Sequence, residues 1–490
     1  MLGRLVHRGP DDAGEVSFAG GWLGHCRLSI VDVGGGHQPL RSGDRWLVGN
    51  GEIYNHEEVR GALGGGNYAT RSDNEVAARL LELRGPDALR ELEGMYAFLS
   101  ATADGGSFVA ARDPVGIKPL YWARRADEVR FASEMAAFDA GWGSIVEEFP
   151  PGHHWTPESG LIRFAHAVPS GSMACGAGLG AGAGAGASAS DLEQIRQVLI
   201  ASVHRQMMGD VPVGVFLSGG LDSTLIAAIA ARYYRGRGER LKTFAVGTQN
   251  SPDLLAAREA AAFLGTEHHE RIYTAQEALD AVAPVVRAIE HFDPSLVRSA
   301  VPNYLLAAMT ASHVKVVLTG EGADELFAGY RYLHDFDDPD ELHDELVRSV
   351  QHLHSLNLQR CDRVTMAHGL EARVPFLDRQ VIALALRLPA EWKAVAPGVP
   401  EKRLLREAFS GWLPPELLWR VKSQFGDGSG AASVLTDAVE AGISAEEFAA
   451  ETARLNPPLR TPEELAYFRI WTEHLPGLRP ESNLSRFATV

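Results

Sequence analysis

The sequence predicts a two-domain α/β protein: an antiparallel sandwich of short strands, then a doubly wound parallel sheet with a helical C-terminal part. Three observations carry that expectation. Short alternating strands, punctuated by glycine pairs and Asp-Gly, fill the chain to about Phe164. Ser170 to Ser190 is almost entirely Gly, Ala and Ser; it has few side chains to build a core and reads as a flexible linker. Beyond Asp191, strands alternate with helices, the pattern of parallel units. The expected boundaries are a first domain over 1–169, a linker over 170–190 and a second domain over 191–490.

Composition agrees with this plan. A chain of 490 residues, 45% hydrophobic and 22% charged, is globular and long enough for two or three cores. The net charge of −17 argues against nucleic-acid or membrane-surface partners, so any phosphate must be bound locally. The three cysteines, Cys26, Cys175 and Cys361, lack metal-type or disulfide-framework spacing and fit a reducing compartment. There is no signal-peptide pattern and no apolar run long enough to span a bilayer. A cytoplasmic enzyme acting on small molecules is expected, with a homodimer as the candidate assembly.

In the first domain, strands are expected within Gly14–Val33, Arg45–Tyr54, Tyr96–Ala110 and Pro119–Ala132, and a helix over Asn74–Leu83. Ser190 is placed to cap a helix whose Leu192, Ile195, Leu199 and Val203 share one face. Strands follow at Val213–Leu217, Leu241–Val246 and Val314–Leu318, with helices at Leu221–Tyr234 and Leu254–Phe263. His334–Cys361 is rich in His, Asp and Glu, but the spacing is irregular and reads as a solvated helical face. Cys26 reads as an ordinary strand residue, and His268-His269-Glu270 as structural.

The chemistry centres on Val213-Gly-Val-Phe-Leu-Ser-Gly-Gly-Leu-Asp-Ser-Thr224. A buried strand runs into Ser218, Gly219 and Gly220, and a helix starts at once. Such a turn lets backbone N–H groups and a helix N-terminus meet an anion. It lacks the lysine and spacing of the common nucleotide loop. Asp222 and Asp324 each follow a strand end, where open parallel sheets bind ligands. Together they suit Mg²⁺, which also takes phosphate oxygens. Singly, each could instead compensate a helix N-terminus.

The turn resembles the S-G-G-x-D-S pyrophosphate loop of ATP pyrophosphatases. The resemblance then widens. His7-Arg-Gly-Pro-Asp-Asp12, Arg27-Leu-Ser-Ile-Val-Asp32, Asn50-Gly-Glu-Ile-Tyr-Asn55 and Ala111-Arg-Asp-Pro-Val-Gly-Ile-Lys-Pro-Leu-Tyr121 look like the glutaminase domain of glutamine-dependent asparagine synthetases. Ser251-Pro-Asp-Leu254, Gly265-Thr-Glu-His-His-Glu270, Gly320-Glu-Gly-Ala-Asp-Glu325, Gly369-Leu-Glu-Ala-Arg-Val-Pro-Phe-Leu-Asp378 and Glu401-Lys402 look like the synthetase domain. β-Lactam synthetases share the architecture, but the stretches from Gly320 and Gly369 look closer to asparagine synthetase.

The resemblance implies an αββα N-terminal-nucleophile sandwich joined to an ATP pyrophosphatase domain. It implies that ATP and Mg²⁺ convert aspartate to β-aspartyl-AMP with release of pyrophosphate, and that ammonia, drawn from glutamine, then yields asparagine and AMP. By resemblance, Ser218, Gly219, Gly220, Asp222 and Ser223 hold pyrophosphate, Asp222 and Asp324 hold Mg²⁺, and Leu217, Val246 and Gly320 border the nucleotide. Glu321 matches a base at the reacting centre, Lys402 a cation on the activated phosphate, and Arg298 an arginine near aspartate. Without the resemblance, Glu321 and Lys402 would read as solvated. Arg27, Leu28, Ile30, Asn50, Gly51, Glu52 and Asp73 match the glutamine pocket, where a carboxylate takes the ligand's ammonium group and an arginine its carboxylate.

Two departures stand out. Pro294-Ser295-Leu296 replaces the family's Val-Thr-Thr, which bears on the acceptor. The family also begins Cys-Gly-Ile after the initiator Met, and that cysteine attacks glutamine; here Leu2 follows Met1. Either the chain as given lacks an opening strand through truncation, or the protein uses free ammonia. For the chain as written the expectation is no glutaminase activity, with ammonia-dependent synthesis. Two alternatives remain: an amide-forming synthetase with another carboxylate acceptor, or a non-catalytic protein that binds nucleotide or glutamine.

Overall fold

The computed structural model describes residues 1–172, 186–249, 251–395, 400–420 and 432–485. Most of the expected linker, residues 173–185 with Cys175, lies outside the described residues.

The first domain comprises β1 (Asp12–Phe18), β2 (Gly21–Arg27), β3 (Leu40–Ser42), β4 (Arg45–Ile53), α1 (His56–Ala62) and α2 (Glu75–Arg84). It continues with β5 (Gly94–Thr102), β6 (Phe108–Arg112), β7 (Tyr121–Arg125), β8 (Glu128–Ala132), β9 (Val146–Glu148), β10 (His153–Thr156) and β11 (Gly160–Arg163). An antiparallel six-stranded sheet runs β11-β10-β6-β5-β4-β3. Strand alternation explains its two faces. On β5, Tyr96 and Phe98 meet Val76 and Leu80 of α2, while Ala97 and Leu99 meet the aromatic cluster of Trp122, Phe131, Phe149 and Trp155. The facing layer has two parts, the β1–β2 hairpin and the sheet β8-β7-β9. The outer face of the latter offers Tyr121, Ala123 and Val146 to the core of the second domain. Helices of the second domain thus complete the outer layer that an αββα stack requires.

The second domain opens with α3 (Ala189–Gln206). Its N-cap is Ser188, two residues before the expected Ser190: the Ser188 hydroxyl accepts from Asp191 N, and the Asp191 carboxylate returns the bond to Ser188 N. That reciprocal pair outcompetes a single serine cap. Then come β12 (Val213–Phe216), α4 (Leu221–Arg235), β13 (Lys242–Gly247), α5 (Pro252–Leu264), β14 (Glu267–Ile272), α6 (Ala275–Ile289), α7 (Pro294–Thr310), β15 (Val316–Leu318), α8 (Ala323–Leu326), α9 (Pro339–His352), α10 (Asn357–Met366), β16 (Glu371–Arg373), α11 (Arg379–Arg387) and α12 (Arg403–Ala408). All five strands are parallel, in the order β14-β13-β12-β15-β16. β12 has its sequential neighbour on one side and β15 on the other, so the winding reverses between β12 and β15. The crevice above their carboxyl ends is where such sheets take ligands. No described helix is long and apolar enough to cross a membrane.

The segment expected to be a solvated face divides in two. α9 is amphipathic, burying Leu342, Leu346 and Val350. In α10, however, all ten residues are buried, polar ones included. Its charges are paired rather than hydrated. Arg363 lies 2.9 Å from Glu134 of the first domain and 3.1 Å from Glu290 of the second. Asp362 receives Arg8 at 2.8 Å and Lys118 at 3.6 Å. Lys118 also reaches Glu371 at 3.1 Å, and Arg373 reaches Glu52 at 3.3 Å. Removing one partner of such a pair costs about 3–5 kcal/mol, because the other stays buried and charged.

Glu148 joins the domains at the rim, 2.7 Å from Arg112 and 2.7 Å from His354. Burial pushes its carboxyl up, but His354 and Arg112 outweigh burial and hold it at about 2, below the ordinary 4.5. A depressed carboxyl stabilises the fold above its unfolded pKa and loses that contribution as pH falls through the folded one. Glu148→Gln is expected to cost on the order of 3 kcal/mol in urea unfolding at neutral pH. The deficit should shrink as pH falls from 4.5 toward 2.

Candidate active site

β12 runs into Leu217, whose N–H is tied to Phe244 O at 2.8 Å, and the chain turns at Ser218-Gly219-Gly220. Gly219 has φ +73°, and a Cβ there would fall 2.5 Å from Ala256 Cβ and 2.6 Å from the α5 backbone. Only glycine fits both demands. Gly220 is the N-cap of α4 and makes no side-chain cap, so no capping side chain claims the first-turn N–H groups. The turn is tied from within: Ser218 Oγ lies 3.0 Å from Ser223 Oγ, and Thr224 Oγ1 donates to Gly220 O at 2.7 Å. From outside, Arg420 donates to Gly219 O at 3.0 Å and to Asp253 at 3.3 Å, linking the turn to the start of α5.

The loop after β15 packs on the same helix start. A Cβ on Gly320 would lie 2.9 Å from Asp222 Cβ and 3.1 Å from Ser223 N. This close approach brings Asp222 and Asp324 together. Lys402 is 3% exposed and spans them, with Nζ 2.5 Å from Asp222 and 2.8 Å from Asp324. Burial disfavours its ammonium form, but the two carboxylates outweigh burial and raise its pKa above the ordinary range. Two hard carboxylates that already share one cation fit Mg²⁺. Among the described residues no three His, Cys, Asp or Glu side chains form a cage. A metal here would therefore complete its shell with phosphate and water oxygens. Leu217 and Val246 form buried wall at the ends of β12 and β13.

Glu321 follows Gly320, and its Oε1 receives Arg360 Nη2 of α10. Arg360 Nη1 also donates to Ser299 Oγ at 2.9 Å. Arg298 Nε is 3.8 Å from Glu463 and 3.3 Å from Pro294 O. Pro294-Ser295-Leu296 forms the first turn of α7, with Asp293 capping Ser295 N and Leu296 N. Next to Asp324, Glu325 is fully buried; burial first, then the Asp324 charge, pushes its carboxyl up to about 7 despite a bond from Tyr330 at 2.6 Å. Sequence reasoning missed Arg360, Glu325 and Tyr330. For Arg360 the available signal was the run of polar residues Asn357, Gln359, Arg360, Asp362 and Arg363, which must either be solvated or find charged partners.

A second cavity of about 100 Å³ lies in the first domain, lined by Arg27, Leu28, Ile30, Asn50, Gly51, Glu52 and Asp73, with Cys26, Met366 and Glu371 at its edges. Its walls carry unsatisfied polar atoms. Asn50 Nδ2, Glu52 Oε2 and His25 Nδ1 are buried with no hydrogen-bond partner among the described residues. Such atoms are costly unless a ligand meets them. Burial pushes the carboxyls of Glu52 and Asp73 up. Burial also lowers His25 to about 4, so it is neutral at pH 7. Arg27 is partly committed, donating to the carbonyls of Val31, Asp32 and Val33 at 3.0, 2.8 and 3.3 Å. Cys26 sits on β2 as expected, with its Sγ 3.6 Å from Leu2 O. α10 touches both places: Met366 lines this cavity, and Arg360, about 9 Å earlier along the helix axis, holds Glu321.

Comparison with known proteins finds two family models along the chain. A glutamine amidotransferase domain model matches residues 1–148, and an asparagine synthase model matches 194–341 and 335–464. The chain is 39% identical over 450 residues to an asparagine synthetase [glutamine-hydrolyzing] of Sandersonia aurantiaca, covering 87% of this chain and 82% of that one. It is 39% identical over 495 residues to asparagine synthetase B [glutamine-hydrolyzing] of Escherichia coli (strain K12), covering 97% and 87%. It is 40% identical over 450 residues to asparagine synthetase [glutamine-hydrolyzing] 3 of Arabidopsis thaliana, covering 87% and 75%.

Gly219→Ala would force a left-handed residue against the α5 backbone. It is expected to weaken Mg-ATP binding about tenfold or more in titration calorimetry, since αL strain alone costs roughly 1–2 kcal/mol. Gly238→Ala, at a positive-φ glycine with nothing within 4 Å of a Cβ, should leave that affinity unchanged.

Proposed function

The chain belongs to the asparagine synthase family, and from that premise we propose that it makes asparagine from aspartate and ATP through β-aspartyl-AMP. The observation that carries the reading is the convergence of Asp222, Asp324 and Lys402 at the switch point, beside Glu321. The Ser218–Ser223 turn and the start of α4 bind the β- and γ-phosphates, while Leu217, Val246 and Gly320 border the nucleoside. Asp222 and Asp324 would hold Mg²⁺, which would supply charge neutralisation for the departing pyrophosphate. An aspartate side-chain oxygen attacks the α-phosphorus, and pyrophosphate leaves. Lys402 carries a buried positive charge where negative charge builds up on that phosphorus. Ammonia then attacks the acyl carbon, Glu321 takes a proton from the nitrogen, and AMP leaves with the acyl oxygen.

In the other cavity, the unsatisfied Asn50 and Glu52 atoms support glutamine as its ligand, with Asp73 and Glu52 facing the ammonium group. For the polypeptide as given, ammonia is the proposed nitrogen donor. Cys26 is the cysteine at the cavity among the described residues, and burial pushes its thiol up, away from the reactive thiolate. The proposed division remains 1–169, linker 170–190 and 191–490, and the proposed setting is the cytoplasm.

Pyrophosphate release from Mg-ATP tests the reading. Release is expected with aspartate and ammonium, with asparagine as product, and not with aspartate and glutamine. Asp222→Ala should lower it by a factor on the order of 100 or more while the protein stays folded. Release that needs a carboxylic acid other than aspartate would redirect the reading to another amide.

A further inference from the structure

Arg360 holds an unusual place. It is only 9% exposed, yet its hydrogen bonds are incomplete. Nη2 meets Glu321 through one carboxylate oxygen, Nη1 donates to Ser299 Oγ at 2.9 Å, and the buried Nε has no hydrogen-bond partner among the described residues. A guanidinium presents its donors as a planar fork that matches a carboxylate through two parallel bonds. Here the fork carries a single-oxygen contact to Glu321, and one of its three nitrogens, Nε, has no partner among the described residues. A buried N–H without a partner is costly and calls for a water, an ion or a ligand to meet it.

The location narrows the ligand. Glu321 adjoins Gly320, which packs on Asp222, so Arg360 stands next to the phosphate-binding end of the sheet. An acceptor activated there must present one carboxylate to the nucleotide. If it is an amino dicarboxylic acid it brings a second. Arg298, the arginine that the family pattern puts near the acceptor, lies 3.8 Å from Glu463 in this structure. The Pro294-Ser295-Leu296 turn caps on Asp293, which Arg460 also holds at 2.8 Å, and this builds α7 rather than a cationic pocket.

Resting on the proposed adenylation of aspartate, we infer that Arg360 is the residue that reads the acceptor: its guanidinium binds the non-reacting carboxylate of an amino dicarboxylic substrate while keeping Glu321 beside it. One plane of donors then positions both the acceptor and the residue that takes the proton from nitrogen. The buried setting of α10 fixes that plane. Asp362 and Arg363, the next two residues, are anchored in charge pairs to Arg8, Glu134 and Glu290.

The test is aspartate-dependent exchange of labelled pyrophosphate into ATP, which isolates adenylation from nitrogen transfer. Arg360→Gln is expected to raise the aspartate KM about 30-fold or more, and Arg360→Lys, which keeps charge but loses the fork, about tenfold. The ATP KM and the melting temperature of Arg360→Lys should stay near the parent's. If Arg360→Gln does not fold, Arg360→Lys decides alone. An aspartate KM within about twofold of the parent in a folded variant, or a parallel rise in the ATP KM, overturns the inference. Exchange absent in the parent itself would remove the aspartate reading, and the inference with it. Exchange present in the parent but indifferent to Arg360 removes only the inference.

Discussion

The arrangement depends on neutralising one buried cation. Arg363 is fully buried, and its charge is balanced by Glu134 from one domain and Glu290 from the other. Neither carboxylate could be withdrawn cheaply, because a buried unpaired charge costs several kcal/mol. The two domains are therefore held at α10, and α10 is held in one rotation. That rotation aims Arg360 at Glu321 and lays Met366 along the cavity of the first domain. One ten-residue helix thereby sets the spacing between the place where glutamine is proposed to bind and the place where its nitrogen would be used.

At the synthetase end, the sheet topology concentrates the chemistry. β12 and β15 are neighbours although two strands separate them in sequence, and each ends in a glycine loop. Gly219 lets α5 close over the first loop, and Gly320 lets the second sit on the first turn of α4. The two aspartates then meet because nothing bulkier keeps them apart. In this structure Lys402 answers their charge.

Much of this was legible in the sequence where the signal is local. The Val213–Leu217 run, the glycine pair and the alternation in α4 specify a strand, turn and helix within a dozen or so residues, and they form nearly at the expected bounds. β5 alternates faces as its residues alternate in type. What was not legible is what depends on distant partners. His334–Cys361 reads as a solvated face because its polar residues give no sign that its end opens the buried helix α10, whose next residues, Asp362 and Arg363, pair with Arg8, Lys118 and Glu134. The cap at Ser188 rather than Ser190 was missed because the reciprocal bond from Asp191 was not weighed. Arg298 was placed near the acceptor by resemblance alone, and nothing in the sequence signals its pairing with Glu463, more than 160 residues along the chain. The residues proposed to bind glutamine were also assigned by resemblance. The orphaned atoms of Asn50 and Glu52, which give a physical reason for a ligand, emerge only when the cavity closes around them.

The most direct test of the central claim, that this site joins aspartate to AMP before nitrogen arrives, follows the oxygen atom. Aspartate labelled with heavy oxygen in its side-chain carboxylate would be turned over with Mg-ATP and ammonium, and the AMP and pyrophosphate examined by mass spectrometry. Transfer of one heavy oxygen to AMP, with none in pyrophosphate, is the predicted result. Unlabelled AMP formed alongside asparagine, or label appearing in released phosphate, would contradict it and place the activation step elsewhere.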